Sequence, residues 1–200
     1  MTKGIKYAAI SASFILVGAG ASAVAAGAAV PSDSAKSTAS AKTSARAMSD
    51  SDFAKAAAEG GAAEIKLGQL AEDKGSNQTV KDFGKRMVAD HTQADQKLAT
   101  AASKDNLSTT IPAELNAKDQ ATYDRLFKLS GSAFDRAYAR DMVRDHVNDV
   151  AAFRHESNNG KDADIRSFAS STLPTLESHL KQAREMLHTV SPTANSSTKS

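Results

Sequence analysis

The stretch "FGKRMVADH", residues 83–91, has the spacing of a helix with a single inward face. Phe83, Met87 and His91 follow one another at four-residue intervals, and residues four apart lie one above the other on an α-helix. Nearly the same phrase, "YARDMVRDH", returns at residues 138–146, which is 55 residues further along the chain. The repeat predicts two helices of one bundle that turn an aromatic ring, a methionine and an imidazole towards a shared core.

The composition favours an all-helical domain. Alanine, the best helix former, is abundant, only four of the 200 residues are proline, and alternating apolar and polar runs that would indicate strands are missing. The chain contains no cysteine, which excludes disulfides, thiolate metal sites and a cysteine nucleophile.

The N-terminal segment is typical of an exported protein. Lys3 and Lys6 precede an apolar run that ends in small residues, and no further charge appears before Asp33. This pattern predicts a cleaved signal peptide over residues 1–25. A retained membrane anchor is the alternative, because residues 7–30 are long enough to span a bilayer, but glycine, alanine and serine dilute the run and favour cleavage.

Cleavage of that segment affects the expected partners. It changes the formal net charge from +2 to 0, because two lysines are the only charged residues in the signal peptide. A neutral chain has no electrostatic basis for binding nucleic acid. We therefore expect a periplasmic or secreted protein without a transmembrane segment after cleavage, whose partner is an envelope protein or a second copy of the chain.

The segments on either side of the folded unit are strongly polar. Residues 26–49 are predicted to form a disordered tether and residues 191–200 a disordered tail, since such composition buries too little apolar surface to offset chain entropy. Residues 50–190 form the predicted helical domain.

Capping and breaking signals define the first two long helices. The first begins at a cap within residues 49–51 and stops at Gly75. The second is capped by Ser76 or Asn77 and ends near Lys104.

The second half of the domain is divided in the same way. A shorter helix ends at Gly131, a third long helix covers residues 132–157, and a fourth covers residues 162–188. Asp135 completes a predicted capping box, and Pro174 is expected to kink or split the last helix. Four long helices with short connections predict an antiparallel four-helix bundle, with the short extra helix between helices 2 and 3.

Each long helix carries one ionisable residue on its inward face, at a similar depth: Glu64, His91, His146 and His179. Three imidazoles and a carboxylate in a bundle core suit one transition-metal ion, namely zinc, manganese, iron or copper. Asp149 and Asp95 are candidates for a further ligand or for acceptors that orient the histidines.

A buried polar layer without a metal is the interpretation that we favour from the sequence. In that case the four groups are satisfied by one another, by Tyr138 or by the backbone. Asp90 and Asp145 precede the repeat histidines and point about 100° away from them, so they are predicted to be solvated or to pair with another helix. His155 and His188 lie off the layer and receive no role.

Three glycines interrupt the first helix: Gly60, Gly61 and Gly68. They are compatible with a functional hinge or with the close approach of a neighbouring helix. We favour close approach.

Four blocks of sequence, in order, resemble the bacterial family known as domain of unknown function 4142: "AAEGGAAEIKLGQLA", "VKDFGKRMVADH", "LSGSAFDRAYARDMVRDH" and "LPTLESHLKQA". The resemblance covers residues 53–187. It implies an exported, ferritin-like helical bundle, often labelled an outer-membrane protein, and it implies no activity and no catalytic residue. Di-iron carboxylate bundles use Glu-x-x-His motifs, and Glu64 is followed by Ile65, Lys66 and Leu67 instead, which argues against a di-iron enzyme.

Two functions follow from these observations. We favour a non-catalytic exported bundle that acts in envelope stress, in adhesion or by binding a partner. The alternative is a single-metal-binding or redox protein that uses the core layer of one glutamate and three histidines. A hydrolase has no support, because the chain contains neither Gly-x-Ser-x-Gly nor His-Glu-x-x-His.

Overall fold

The structure is a computed structural model that describes residues 48–104 and 110–191. Within these residues it contains five helices and no strand, which confirms the all-α prediction: α1 Asp50–Lys74, α2 Gln78–Lys104, α3 Ala117–Phe127, α4 Gly131–Asn159 and α5 Ala163–Val190. None of the described helices is both long and apolar enough to cross a membrane. The predictions for the signal peptide, for nearly all of the tether and for the tail after residue 191 lie outside the described residues.

The first two helices begin and end where the capping signals predict. Ser49 precedes α1, and its hydroxyl oxygen accepts a hydrogen bond from the backbone N–H of Asp52 at 3.1 Å. Gly75 follows the last residue of α1. The side-chain oxygen of Asn77 accepts from the N–H of Thr79 at 2.9 Å, so a polar cap satisfies one of the free amides at the start of α2.

Asp135 does not form the predicted capping box of its own helix. α4 begins at Gly131, which has a φ of 56°, and Ser130 before it makes no side-chain cap bond. The carboxylate of Asp135 instead accepts hydrogen bonds from the N–H groups of Ser76 at 2.9 Å and Asn77 at 3.0 Å, and from the Ser76 hydroxyl. The capping-box prediction is wrong because this carboxylate satisfies the free amides that precede a neighbouring helix.

A second aspartate joins the opposite end of α1 to the α4–α5 junction. The carboxylate of Asp50 accepts from the N–H groups of Lys161 at 3.0 Å and Asp162 at 2.8 Å. Asp162 in turn caps α5 by accepting from the N–H of Ile165 at 2.9 Å. The start of α1 therefore lies at the end of α4, while the end of α1 lies near the start of α4, so these two helices run in opposite directions.

The helices pack in a limited set of pairs. α1 contacts α2 and α4, α5 contacts α2 and α4, and the short α3 contacts α1 and α4. α5 runs without interruption through Pro174, so of the two alternatives predicted for this proline, a kink or a split, the split is wrong. At the α1–α2 crossing, a Cβ atom added to Gly68 would lie 2.7 Å from the carbonyl oxygen of Gly84, which confirms close approach at Gly68.

The core consists of two apolar clusters with a polar layer between them. One cluster surrounds Met87, Tyr138 and Met142, and the other surrounds Phe53 and Phe153. On each of the four long helices, a buried ionisable residue lies along the chain between the residues of the two clusters: Glu64, His91, His146 or His179, with the buried Asp95 one turn beyond His91 on α2. The fold thus places these four side chains at one level of the core.

Candidate metal centre

The four ionisable residues of the core are in contact with one another. His91 Nε2 lies 2.6 Å from Glu64 Oε2, and His146 Nδ1 lies 3.2 Å from Glu64 Oε1. The ring centroids of His179 lie 5.3 Å from those of His146 and 5.6 Å from those of His91. His146 and His179 are fully buried, and Glu64 and His91 are only 5% and 7% exposed.

Hydrogen bonds fix the proton positions on two of the three imidazoles. His146 Nδ1 lies 3.0 Å from the carbonyl oxygen of Met142, so Nδ1 carries the proton and donates it. His179 Nε2 lies 2.7 Å from Asp90 Oδ2, so Nε2 donates to that carboxylate. The remaining nitrogens, His146 Nε2 and His179 Nδ1, therefore carry lone pairs, and both are buried with no hydrogen-bond partner in the described part of the chain.

The three histidines offer ligand atoms at distances close to those of a metal site. One ring nitrogen from each of His91, His146 and His179 lies within 4.8 Å of the other two. In a tetrahedral zinc site with Zn–N bonds of about 2.05 Å, ligand nitrogens are about 3.4 Å apart. The rings would therefore have to close by at most about 1.4 Å, which is within the reach of side-chain rotation.

Comparison with known proteins assigns the chain to a family. A family model described as "Domain of unknown function (DUF4142)" matches residues 35–186. The chain belongs to the DUF4142 family. No curated protein and no solved structure matches the chain. The family description names no activity, so the buried groups of the chain are what indicate its chemistry.

Glu64 is the anionic member of the layer that it forms with His91, His146 and His179 in this DUF4142 protein. Burial alone would raise the pKa of Glu64, but the nearby His146 and His91 rings and the hydrogen bond with His91 outweigh it and lower the pKa to about 2. Burial lowers the pKa of His91, but the Glu64 carboxylate outweighs burial and raises it. Without a metal, Glu64 and His91 therefore form a buried ion pair.

His179 is neutral at neutral pH. Burial is the largest cause that lowers the pKa of His179, the hydrogen bond to Asp90 opposes it, and the nearby His146 and His91 rings lower the pKa further, to about 4. A neutral imidazole is the form that binds metals, and a carboxylate on its other nitrogen is the common way to orient it. Asp90 occupies that position for His179.

Asp149 belongs to the site, whereas Asp95 lies beside it. One ligand atom from each of Glu64, His146 and Asp149 lies within 4.8 Å of the others, and burial together with the Glu64 charge raises the pKa of Asp149 to about 8. Burial raises the pKa of Asp95 to about 6, with the His91 charge opposing it. The structure does not place Asp95 in either group of ligand atoms.

Sequence reasoning missed the partner of Asp90. Pairing with another helix, one of the two alternatives predicted for Asp90, is confirmed: Asp90 pairs with His179 on the neighbouring α5, and along its own helix with Arg86. The offset of about 100° between neighbours on a helix is the signal, since it directs Asp90 away from His91 and towards the adjacent helix. Asp145, by contrast, pairs with Arg144 next to it.

Tyr138 does not supply a hydrogen bond to the polar layer, although the sequence predicted it as a partner. The Tyr138 hydroxyl is buried without a hydrogen-bond partner among the described residues, and burial raises its pKa well above the ordinary value.

His155 and His188 are exposed, as predicted for residues off the layer. The one Glu-x-x-His of the chain, residues 185–188, has both of its end residues exposed near the end of α5 and takes no part in the layer.

Proposed function

We propose that this protein binds one transition-metal ion in its core through His91, His146, His179 and Glu64. The observation that carries the proposal is the pair of buried, unpartnered lone pairs on His146 Nε2 and His179 Nδ1. A buried polar atom left without a partner costs about 1–3 kcal/mol. One metal ion can accept both imidazole lone pairs at once, with the two imidazoles as its ligands.

The donor set narrows the choice of metal. Three imidazole nitrogens and one carboxylate oxygen suit zinc, copper(II), iron or manganese. Calcium and magnesium require mostly oxygen ligands, and this set supplies only one. The proton shared by Glu64 and His91 leaves when these two residues become ligands, so tighter binding at higher pH is expected.

The closed ligand set favours a non-catalytic role. Structural zinc sites use four protein ligands, whereas catalytic sites keep one position open for water or substrate. Glu64 lies in the neighbouring group of ligand atoms with His146 and Asp149, and we propose that its carboxylate turns to become the fourth ligand, which leaves no position open in a tetrahedral site. We therefore propose that the protein holds a metal ion and does not turn over a substrate.

The wider setting is proposed as well. We propose that α1, α2, α4 and α5 form an antiparallel, ferritin-like four-helix bundle with α3 as part of the connection, supported by the helix pairs and by the aspartate contacts at both ends of α1. We also propose export to the periplasm or beyond after cleavage near residue 25, with a role at the envelope, on the strength of the N-terminal sequence. N-terminal sequencing of the exported protein tests cleavage.

Metal analysis tests the proposed function. The mature protein is stripped with a chelator, reconstituted separately with Zn²⁺, Cu²⁺, Mn²⁺ and Fe²⁺, desalted and measured by inductively coupled plasma mass spectrometry. We expect one equivalent of at least one metal in the wild type and less than a tenth of an equivalent in the variant carrying His91→Ala and His146→Ala. The matched control, His155→Ala plus His188→Ala, removes two exposed histidines and should retain the metal. A wild type that binds none of the four metals would refute the proposal.

A further inference from the structure

No close contact with a neighbouring helix requires glycine at position 60. A glycine in a helix interior costs about 1 kcal/mol relative to alanine. Gly61 and Gly68 are explained by contacts, since added Cβ atoms would lie 2.5 Å from Asp95 Oδ1 and 2.7 Å from the Gly84 carbonyl oxygen. A Cβ atom on Gly60 would meet nothing within 4 Å, so close approach, which was predicted for all three glycines, is wrong at Gly60.

Gly60 borders two openings in the protein. The outer cleft, about 330 Å³, lies between α1, α3 and α4. The inner cavity, about 80 Å³, is lined mostly by apolar side chains, from the exposed Met48 inwards, together with His91, Asp95 and Thr172. Both openings are bordered by the same four residues: Ala56, Gly60, Glu64 and Asp149. Gly60 therefore stands where the surface cleft meets the buried ligands.

The charge of the outer cleft suits a cation. Five carboxyl groups line it: Glu59, Glu64, Asp119, Asp145 and Asp149, of which Asp149 is mostly protonated at neutral pH because burial raises its pKa to about 8. Two cationic side chains, Lys118 and Arg144, oppose the other four, so negative charge remains in excess. A cleft with an excess of one charge concentrates ions of the opposite sign.

A buried and unsatisfied oxygen stands at the inner end of the cleft. Glu64 Oε1 is buried and makes no hydrogen bond within the described residues, since His146 Nδ1, 3.2 Å away, donates to the Met142 carbonyl oxygen instead. Asp149 offers a further oxygen, and its ligand atom lies within 4.8 Å of those of Glu64 and His146. An ion that enters the cleft thus meets oxygen ligands before it reaches the imidazoles.

The rest of the layer is closed to solvent. His146 and His179 are fully buried, and apolar clusters cover the layer on both sides along the helices. An ion needs a path to such a site. Among the described residues, the two openings at Gly60 reach Glu64 directly.

We propose that divalent cations load the core site through the outer cleft, that the missing side chain at Gly60 keeps the inner end of this passage open, and that Asp149 is the transfer ligand. This inference rests on the proposed function. In this proposal Gly60 and Asp149 determine the rate at which the metal enters, whereas the three histidines and Glu64 determine the affinity of the final site.

Stopped-flow loading of the metal-free mature protein with Co²⁺ tests the passage, because cobalt bound by imidazoles absorbs visible light. We expect Gly60→Leu, which fills the open space, and Ala56→Phe, which obstructs the mouth, each to slow loading at least 10-fold with one equivalent still bound at the end. Asp149→Asn should slow it several-fold. Gly60→Ala adds one methyl group, and Gln69→Leu adds a leucine at an exposed position of the same helix; both should load at the wild-type rate.

The outcomes separate the passage from the site. If the wild type takes up Co²⁺ and both blocking variants load at its rate, the passage is refuted and the metal site stands. If the wild type takes up no Co²⁺ and none of the four metals named above, the metal site and the passage fall together. Circular dichroism of each variant shows whether it is folded, and the exposed Ala56 provides a blocking variant that does not depend on the helix interior.

Discussion

Glu64→Gln in the metal-free protein tests whether the buried carboxylate stabilises the core as an anion. The substitution keeps the shape of the side chain and removes its charge. Lowering the pKa of Glu64 from 4.5 to about 2 corresponds to about 3 kcal/mol at about 1.4 kcal/mol per pKa unit. Removing one partner of a buried ion pair costs about 3–5 kcal/mol in other proteins, which agrees in size. We therefore expect the variant to lose about 3 kcal/mol of unfolding free energy at pH 7.

The sign of the pH dependence follows from the direction of the shift. A carboxylate whose pKa is lowered on folding contributes stability that is present above its unfolded pKa and is lost as the pH falls towards the folded pKa. The difference between wild type and Glu64→Gln should therefore be largest above pH 5 and narrow as the pH falls from 4.5 towards 2.

Urea denaturation followed by circular dichroism, with a chelator present, measures this difference. With a slope of about 2 kcal/mol per molar urea, the midpoint should fall by about 1.5 M. Glu59→Gln is the matched control, because Glu59 lies on the same helix with a half-buried side chain and a weak 3.9 Å ion pair to Lys55; we expect a change below about 0.5 kcal/mol. A Glu64→Gln variant as stable as the wild type at pH 7 would refute the reasoning.

Four further predictions follow. Asp90→Asn weakens the acceptor that orients His179 and should lower metal affinity about 10–100-fold in competition with a chromophoric chelator, while Asp82→Asn on the same helix should not. Burial and the nearby Asp50 charge raise the pKa of Glu156 to about 7, so wild-type stability should fall as the pH rises from 4.5 to 7; Glu156→Gln should remove that fall and be about 1–3 kcal/mol more stable at pH 8 in urea titrations. Gly60→Ala should raise the thermal midpoint by stabilising the helix by about 1 kcal/mol, and a lower midpoint would mean that the space beside Gly60 is filled. Gly68→Ala should lower the midpoint, since its methyl group would press on the α1–α2 crossing, and an unchanged midpoint would contradict that close contact.

The helices and the inward face of the core layer could be predicted because their signals are local. Four-residue spacing of aromatic, methionine and histidine residues is a property of one helix, and so is a cap such as Ser49 or Asp162. The pattern within α1 alone also identifies Glu64 as an inward residue, because the apolar residues around it mark the face of the helix that packs against the core.

The errors lie where two helices share one group. Asp135 looks like a local cap in the sequence, but its carboxylate satisfies amides that lie nearly 60 residues earlier. Asp90 does pair with another helix, as one of its two predicted alternatives has it, but its partner His179 is 89 residues away, so no local pattern identifies that partner. Gly60, Gly61 and Gly68 look alike in the sequence, and only the neighbours of each Cβ position distinguish the glycine that borders open space. Such pairings depend on the relative placement of helices, which periodicity alone does not encode.

A crystal structure of the metal-loaded mature protein, with anomalous diffraction recorded at the absorption edge of the metal, shows where the ion binds. We expect one anomalous peak in the core, bonded to His146 Nε2 and His179 Nδ1 at about 2.0–2.1 Å, with His91 and Glu64 completing the ligands. A loaded protein whose anomalous peaks all lie at surface carboxylates or exposed histidines, with the core imidazoles unbound, would contradict the proposed core site.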